Sequence, residues 1–392
     1  MDSFGRHMLE RWMLDPHITY LNHGTVGATP RTVLAAQQAI RDDIERQPAR
    51  YLLRELADVK QFALRMQPRM RAAAEQVARF VGARGDDLVF VGNASEGMSA
   101  VLGSLALAPG DEILLTDHGY GAVYLAAEHV ARRAGAVVRT VELPFPGTTE
   151  ASVVQAIAAS FTPHTRLLVV DHVTSGSALV LPVREVVARA HAAGVRVLVD
   201  GAHAPGALPL DIPAVGADWY TGNLHKWAMA PRGCGILWAG PAAQRNLHPP
   251  VISWGYDLGF THEFNLTGTR DPSAYLAAPA GIEFMQELGL GQMRAYDHAF
   301  AWDAARMLCD HWGTTLPAEA AMVGTMATIP LPLRFGTTRE DGQRLKDALL
   351  YEQNVEIQVH GFKGRVWMRI SGQVYNDSSD LDRLMRAVEA VA

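Results

Sequence analysis

Short apolar runs alternate with stretches of helical periodicity between about residue 70 and residue 240, and this alternation constrains the fold most strongly. The helical stretches include EGMSAVLGSLAL (96–107) and VREVVARAHAAG (183–194). Nearly continuous apolar strands are typical of a sheet buried on both faces, and strand–helix alternation is typical of parallel strands. The sequence therefore predicts an α/β fold with a mostly parallel sheet, built from the runs at 86–92, 111–117, 136–143, 165–173, 195–201, 217–222 and 234–240.

Two departures from this alternation bear on the organisation of the chain. No long helical stretch separates the last two runs, so we expect the run at 234–240 to lie antiparallel to its neighbour. After about residue 258 the pattern changes to long helices, over 274–289 and 292–312, followed by MATIPLPL and RVWMRIS. We therefore expect an amino-terminal arm and a large domain over residues 1–258, and a smaller α+β domain over residues 259–392.

Composition argues against several classes of protein. The 392 residues are 48% hydrophobic and 19% charged, with a formal net charge of −6, which is typical of a globular protein and does not favour nucleic acid as a partner. Cys234 and Cys309 form no CxxC pair, so we expect no disulfide framework. No run approaches the ~18 apolar residues of a membrane span, and the amino terminus lacks the apolar core of a signal peptide. We therefore expect a cytoplasmic protein with no membrane partner.

One lysine stands in an apolar and aromatic setting just after the sixth run. Lys226 lies between His225 and Trp227 and is one of four lysines in the chain. Burying a cation is costly, so a desolvated lysine is either a misplaced charge or a nucleophile. A surface lysine whose aliphatic stem covers apolar groups is the ordinary alternative.

Polar side chains follow three other strands. Asp200 ends VRVLVD, Ser95 follows DDLVFVG at the start of a helix, and Tyr120 follows DEILLTD. Each has an ordinary alternative, since Asp200 and Ser95 can cap helices and Tyr120 can belong to the core. Ligands of open α/β sheets gather at such strand ends, however. A phosphate cradle, an aromatic platform, an acid and a lysine together fit pyridoxal 5′-phosphate, in which the lysine forms the Schiff base and the acid keeps the pyridine nitrogen protonated.

Longer motifs carry a family resemblance. FVGNASEGM, VLVDGAHAPG, ADWYTGNLHKW and NLTGTRDPS resemble the class V aminotransferase group of fold-type I pyridoxal phosphate enzymes. Within that group, YLNHGTVGATP, DHVTSGSALVLPV and GTRDPSA are most similar to the isopenicillin N epimerase-like branch. The resemblance extends from about residue 18 to residue 375. It implies a large cofactor-binding domain with a mostly parallel seven-stranded sheet, a small carboxyl-terminal α+β domain, and a homodimer with shared active sites.

The resemblance also implies roles for individual residues. Lys226 matches the lysine that bonds to the cofactor, Asp200 the partner of the pyridine nitrogen, and Arg369 the arginine that binds the substrate α-carboxylate. Tyr120 matches the ring-stacking position. Residues that match contacts to the phenolic oxygen or the phosphate are His203, Ser175, Ala94, Ser95, Asn223 and His225, together with Gly268 and Thr269 in a loop that reaches the neighbouring subunit's phosphate.

The reaction is less constrained than the cofactor. Cysteine desulfurases carry a nucleophilic cysteine before the carboxylate-binding arginine, whereas the stretch 351–369 here contains none. We therefore favour C–S lysis, a β-elimination from an S-substituted cysteine, with epimerisation, transamination and decarboxylating deamination as alternatives. Candidate substrate-pocket residues are Asn22, His23, Trp254 and Tyr256, for which ordinary packing is an equal alternative.

A metal-dependent hydrolase is the alternative from a different class. Asp200, His203, His172 and His225 are candidate ligands, because Asp-x-x-His spacing can bring two of them together. No HExxH or CxxC signature is present, however, and a metal site gives Lys226 no role. We therefore expect no bound metal.

Overall fold

The computed structural model describes residues 4–57 and 67–391. Its strands are β1 (Thr19–Tyr20), β2 (Leu88–Val91), β3 (Glu112–Thr116), β4 (Val137–Val141), β5 (Thr165–Asp171), β6 (Arg196–Gly201), β7 (Trp219–Asn223), β8 (Gly235–Ala239), β9 (Met326–Pro330), β10 (Val355–Glu356), β11 (Gln358–Phe362) and β12 (Arg365–Ser371). Each of the seven apolar runs contains one strand, β2 to β8.

These seven strands form the central sheet in the order β2-β8-β7-β6-β5-β3-β4. The pairs from β7 through β6, β5 and β3 to β4 are parallel. Strand β8 is antiparallel to both β7 and β2, because the connection from β7 is too short for a crossover helix. The predicted α/β fold with a mostly parallel seven-stranded sheet is therefore confirmed, as is the reversed direction of its last run.

Alternate residues of the strands pack into different hydrophobic clusters, which shows why the runs are apolar throughout. In β2, Leu88 and Phe90 belong to one cluster, whereas Val89 and Val91 belong to another. Helices cover both faces, so neither face of this strand meets water. Strand β4 lies at the sheet edge and is less buried, with Val137 exposed.

The helices between and after the strands are generally shorter than the sequence predicts. They are α1 (His23–Val26), α2 (Arg31–Arg46), α3 (Pro48–Arg50), α4 (Arg69–Phe80), α5 (Ala94–Gly103), α6 (Gly121–Ala134), α7 (Glu150–Ala158), α8 (Val183–Ala192), α9 (Ile212–Val215), α10 (Phe260–Asn265), α11 (Ser273–Leu276), α12 (Ala278–Glu287), α13 (Leu290–Trp312), α14 (Arg339–Gln353) and α15 (Ser378–Ala390). The stretch at 274–289 falls on two helices, since Pro279 stands in the first turn of α12, where a proline is tolerated.

The carboxyl-terminal part has its own sheet and its own core. Strands β11, β12 and β9 form an antiparallel sheet, and its residues share a hydrophobic cluster with α13, α14 and α15. The amino-terminal arm also reaches this part, because β1 pairs with β10 and Leu21 joins the same cluster. A division of the chain near residue 258 stays a prediction.

Within the described ranges, no helix is both long enough and apolar enough to span a membrane.

Candidate active site

A cavity of about 390 Å³ lies at the carboxyl ends of β5, β6 and β7. Its volume is within the ~300–1,000 Å³ typical of small-molecule sites. The predicted site residues that line it are Ala94, Ser95, Tyr120, Ser175, Asp200, His203, Asn223, His225 and Lys226. The fold therefore brings together residues from five separate segments of the sequence, as expected for the strand ends of an open α/β sheet.

Lys226 is largely buried, and among the described residues His203 is the hydrogen-bond partner of its amine. Its Nζ lies 3.2 Å from His203 Nε2. Burial, and after it the charge of Arg369, lower the pKa of Lys226 to about 8, and the charges of Asp200 and Asp171 oppose this shift. The amine is therefore still mostly protonated at pH 7, but its neutral form, which a nucleophile or a base requires, is far more populated than in an ordinary lysine.

The backbone around Lys226 is held by close contacts from two other segments. His23 Nε2 lies 2.9 Å from the Lys226 carbonyl oxygen, and His23 Nδ1 lies 2.8 Å from the Tyr375 hydroxyl. Gly27 has φ +69°, and a Cβ at this position would lie 1.9 Å from the His225 carbonyl oxygen. Only glycine allows both this φ and this approach.

His23 therefore lies beneath the lysine rather than facing the cavity. Its ring is fully buried, and burial lowers its pKa to about 4, so the imidazole is neutral near pH 7. Because both ring nitrogens are engaged, we now propose that His23 positions Lys226 and does not contact substrate. The sequence could not distinguish these roles, since the Lys226 contact joins segments 203 residues apart.

His203 connects the lysine to the core. Its Nδ1 accepts a hydrogen bond from Trp227 Nε1 at 3.4 Å, and its Nε2 faces Lys226. Burial lowers the pKa of His203 well below its ordinary value, and the charge of Lys226 acts in the same direction. The ring is therefore neutral, and it can exchange a hydrogen bond with the amine without competing for positive charge.

Two carboxyls, not one, lie at the strand ends. Asp200 is 4% exposed, and its Oδ1 accepts a hydrogen bond from the backbone N–H of Ala202 at 2.9 Å. Asp171 lies on the adjacent strand in register with Asp200, and it also lines the cavity. Burial raises the pKa of both groups, and the charge of Asp200 raises that of Asp171 further. The sequence reasoning did not select Asp171, although it ends an apolar strand just as Asp200 does.

The amino terminus of α5 forms one end of the cavity. Asn93 caps this helix by accepting from the backbone N–H of Glu96 at 3.0 Å. The backbone N–H of Ala94 donates to Asn223 Oδ1 at 2.8 Å, so Asn223 ties the helix start to β7. Ser95, in the first turn, lines the cavity with its hydroxyl close to the positive end of the helix dipole. Such a terminus suits a phosphate group.

His225 and Tyr120 lie at other parts of the wall. His225 Nδ1 is 3.0 Å from the Cys234 carbonyl oxygen, which leaves Nε2 as the other ring nitrogen available to a ligand. Tyr120 is the N-cap residue of α6 and is 50% exposed. An aromatic side chain so exposed at the cavity wall can cover a planar ligand.

Arg369, on β12, is a buried cation without an acidic partner among the described residues. It is 2% exposed, and its Nη1 donates to the Ser175 carbonyl oxygen at 2.6 Å. Its Nη2 donates to Thr25 Oγ1 at 2.7 Å and to Asn22 Oδ1 at 3.2 Å. Its Nε has no partner within the described part of the chain. Burial lowers the pKa of Arg369 to about 10, which leaves it charged at neutral pH.

Two residues that contact this region were missed by sequence reasoning. Thr25 lies in the four-residue helix α1, lines the cavity and bonds to Arg369. Arg232 lines the cavity from the segment after Lys226. A threonine in a short turn and an arginine in a loop carry no spacing signal, so only the tertiary arrangement identifies them.

Asn22, His23 and Arg369 do not line the cavity themselves, and four further predicted residues also lie away from its lining. Gly268 and Thr269 line a different, small cavity with Leu53 and Tyr275. Trp254 is 76% exposed and Tyr256 is 50% exposed, on a surface segment after β8. Within one chain these four residues therefore do not join Lys226.

For residues 4–57 and 67–391, no group of three or more histidine, cysteine, aspartate or glutamate side chains is arranged to hold a metal ion. His172, a candidate ligand of the alternative hydrolase, has Nδ1 at 2.8 Å from the Tyr220 hydroxyl.

The cavity residues fit pyridoxal 5′-phosphate. A helix amino terminus with a serine suits the phosphate, a buried carboxyl suits the protonated pyridine nitrogen, and a buried lysine with a lowered pKa suits the aldehyde. The fold and these residues define a fold-type I pyridoxal phosphate-dependent enzyme. The chain belongs to the aminotransferase class-V family, whose family model matches residues 19–384.

Known proteins similar to this chain cover nearly all of it. An isopenicillin N epimerase of Streptomyces clavuligerus is 34% identical, over 97% of this chain and 96% of that protein. A probable chloroplastic L-cysteine desulfhydrase of Arabidopsis thaliana is 31% identical, over 96% of this chain and 83% of that protein. A solved apo structure of the cysteine desulfurase of Thermococcus onnurineus NA1 shares the fold, with a TM-score of 0.78 and 19% identity, over 100% of this chain and 98% of that one.

Proposed function

We propose that this enzyme cleaves the C–S bond of an S-substituted L-cysteine by β-elimination, releasing a thiol, pyruvate and ammonia. The observation that carries the proposal is the buried guanidinium of Arg369, which lies near Lys226 and, among the described residues, donates only to neutral acceptors. A buried cation costs free energy unless an anion joins it. An α-carboxylate supplies that anion, and its amino acid then places the Cα hydrogen near the lysine amine.

When bound, pyridoxal phosphate supplies an electron-withdrawing pyridine ring that makes the hydrogen on the substrate Cα acidic. Ser95, the start of α5 and His225 would hold its phosphate. Tyr120 would cover one ring face, and His203 or Ser175 would donate to its phenolic oxygen. Asp200 would hold the proton on the ring nitrogen.

The side chains of this chain then divide the work. Arg369 binds the substrate carboxylate, while Asn22 and Thr25 fix the plane of the guanidinium. Lys226, as a neutral amine, takes the proton from Cα and returns it to the departing sulfur. His203 keeps the amine oriented through its 3.2 Å contact. Proton removal and proton return by one group leave the lysine unchanged over the cycle.

The cysteines of the chain argue against the persulfide chemistry of a desulfurase. Both Cys234 and Cys309 are buried, and neither lines the cavity. Burial also raises the pKa of the Cys234 thiol, which disfavours the nucleophilic thiolate. The similarity to a cysteine desulfhydrase supports elimination of the sulfur group in place of its transfer to an enzyme thiol.

Incubation of the cofactor-loaded protein with S-methyl-L-cysteine in deuterated water tests this proposal. We expect methanethiol, pyruvate and ammonia in equal amounts. L-Alanine, which lacks a leaving group, is the matched control and should exchange its Cα hydrogen without releasing pyruvate. If neither S-methyl-L-cysteine nor L-cysteine yields pyruvate, the proposed elimination is wrong.

Epimerisation is the second candidate, favoured by the 34% identical isopenicillin N epimerase. It requires a proton donor on the face of Cα opposite the base. Lys226 and His203 contact each other and therefore act from one side, which favours elimination. The same deuterium experiment separates the two, since epimerisation gives an inverted, deuterated amino acid that keeps its side chain.

We further propose that the enzyme is a homodimer with shared active sites. Its surface segment 251–258 exposes Val251, Ile252, Trp254, Tyr256 and Leu258. Several exposed apolar side chains in one short segment are typical of an interface. The loop with Gly268 and Thr269 lies outside its own chain's main cavity, which agrees with a contact to the partner's phosphate.

Sedimentation and subunit mixing test the dimer. We expect a dimer at micromolar concentration. Lys226→Ala and Thr269→Asp should each inactivate their homodimers, whereas mixed dimers should regain activity because one of the two sites then carries neither change. A monomer, or subunit exchange without recovered activity, would exclude shared sites.

A further inference from the structure

Asp171 has no role in the mechanism proposed above, although it lies in the cavity. It is the last residue of β5 and is 6% exposed. Asp171 and Asp200 are register partners on adjacent parallel strands. Neighbouring strands lie about 4.8 Å apart, and paired residues present their side chains to the same face. The two carboxyls are therefore neighbours, and both line the cavity.

The two carboxyls differ in the donors that reach them. Asp200 accepts from the backbone N–H of Ala202. Within the described ranges, the donor that reaches Asp171 is its own backbone N–H. Hydrogen bonds to a carboxylate favour its ionised form, and two adjacent buried negative charges repel each other strongly. A negative charge is therefore better supported on Asp200 than on Asp171.

Other charges around Asp171 do not compensate for a second negative charge. The charge of Lys226 lowers the pKa of both Asp171 and Asp200, so one cation is shared by two acids. Titratable residues after β3 and next to Asp171 in the chain are engaged elsewhere: Asp117 with Lys363, His118 with Ser177, and His172 with Tyr220.

We propose that Asp171 is a positioning residue, the protonated member of a carboxyl pair that donates a hydrogen bond to the ionised Asp200. The pair then holds one proton and one negative charge. Asp200 is fixed from two sides, by Asp171 and by Ala202, and the charge stays on the residue that would face the pyridine nitrogen. Burial and the charge of Asp200 raise the pKa of Asp171, in agreement with this arrangement. The inference rests on the role proposed for Asp200.

Infrared spectroscopy of the apoprotein tests the protonation state without any turnover. At pH 7 we expect the parent protein to show the C=O stretch of a protonated carboxylic acid that Asp171→Asn lacks. Asp297→Asn is the matched control, because Asp297 is another buried acid and should account for a separate band. An unchanged carboxylic acid signal in Asp171→Asn would overturn the proposal.

A second apoprotein variant tests whether the two acids interact. In Asp200→Asn the adjacent charge is gone, so the midpoint at which Asp171 loses its proton should fall by about one pH unit or more. An unchanged midpoint would show that the carboxyls do not share a proton.

Cofactor affinity tests the positioning role. Asparagine also donates a hydrogen bond, so Asp171→Asn should bind pyridoxal phosphate about as tightly as the parent. Asp171→Ala removes the donor and should weaken binding by about tenfold, the usual loss for a hydrogen bond to a charged group. Equal affinities for these two variants would contradict positioning. Failure of the elimination reaction alone would leave these three measurements unaffected.

Discussion

Two clusters of charged residues in this molecule differ in whether their buried charges have partners within the protein. At the carboxyl-terminal end, Asp380 is fully buried, and its Oδ1 meets Arg6 Nη1 and Arg383 Nη2, each at 2.6 Å. At the cavity, Lys226 is buried beside Asp171 and Asp200, and the buried Arg369 lies near Lys226, with no salt bridge among these groups in the described ranges. The first cluster satisfies its own charges, whereas the second leaves them for a cofactor and a substrate.

The difference distinguishes buried charges that support stability from buried charges that serve binding. Removing one partner of a buried charge pair destabilises the fold, because the other charge is left uncompensated. Unpaired charges in a cavity destabilise the free protein and gain their partners on binding. Substitutions in the two clusters should therefore have opposite effects on stability and activity.

The largest expected effect is on activity in the cavity. Lys226→Ala should lower turnover by about 10³-fold or more, because we propose that the amine is both the cofactor's partner and the base. Far-UV circular dichroism should show a retained fold. Lys346→Ala on α14 is the matched control and should leave pyruvate release unchanged. Turnover close to the parent's in Lys226→Ala would remove this residue from the mechanism.

The next largest effect concerns Arg369. Arg369→Met should lower kcat/KM for an amino acid substrate by about 10²-fold or more, as expected for loss of a buried carboxylate contact. The unfolding free energy of the apoprotein should not fall, since no acidic partner is lost. Cysteamine, which lacks the carboxylate, gives the comparison, because its slow reaction should be insensitive to the substitution. A strongly destabilised Arg369→Met protein with unchanged kinetics would instead indicate a structural role.

Asp380→Asn should show the reverse pattern. Two arginines lose their charged partner, so the free energy of unfolding should fall by about 3 kcal/mol, measured by urea denaturation. Cofactor affinity and kcat/KM should not change. A loss of activity without a loss of stability would break the distinction between the two clusters.

The smallest effect is expected at Asp297, a buried acid on α13 whose two carboxyl oxygens have no partner in the described ranges. Burial raises its pKa well above the ordinary value, so the folded state holds a proton that the unfolded state releases. Its contribution to stability is therefore complete below the unfolded pKa and is lost as the pH rises towards the folded pKa. Between pH 5 and 6, this proton release should lower the free energy of unfolding of the parent protein by about 1 kcal/mol, and Asp297→Asn should abolish that decrease. Parallel pH profiles for parent and variant would contradict this assignment.

The sequence predicts the central sheet well because most of its strands are apolar on both faces, a pattern that depends on local residues. It predicts the small sheet less completely, although RVWMRIS coincides with β12. The helical stretch at 274–289 is misjudged, since its periodicity continues across the boundary between α11 and α12.

The limits of sequence reasoning are clearest in the acids at strand ends. Asp117 and Asp171 both follow apolar runs, yet Asp117 forms a salt bridge with Lys363 at 2.9 Å, whereas Asp171 lines the cavity. The distinction depends on a lysine far along the chain. Likewise, the apposition of Thr25 to Arg369 spans 344 positions, and no local pattern records it.

The contacts of the amino-terminal arm determine when the site can be completed during synthesis. Strand β1 pairs with residues 355–356, and Asn22 accepts a hydrogen bond from Arg369, which lies 347 positions later in the chain. A ribosome releases these two ends of the chain far apart in time. The strands of the central sheet can therefore assemble early, as domains generally fold during translation, while the proposed site for the substrate carboxylate is complete only after β12 has been made.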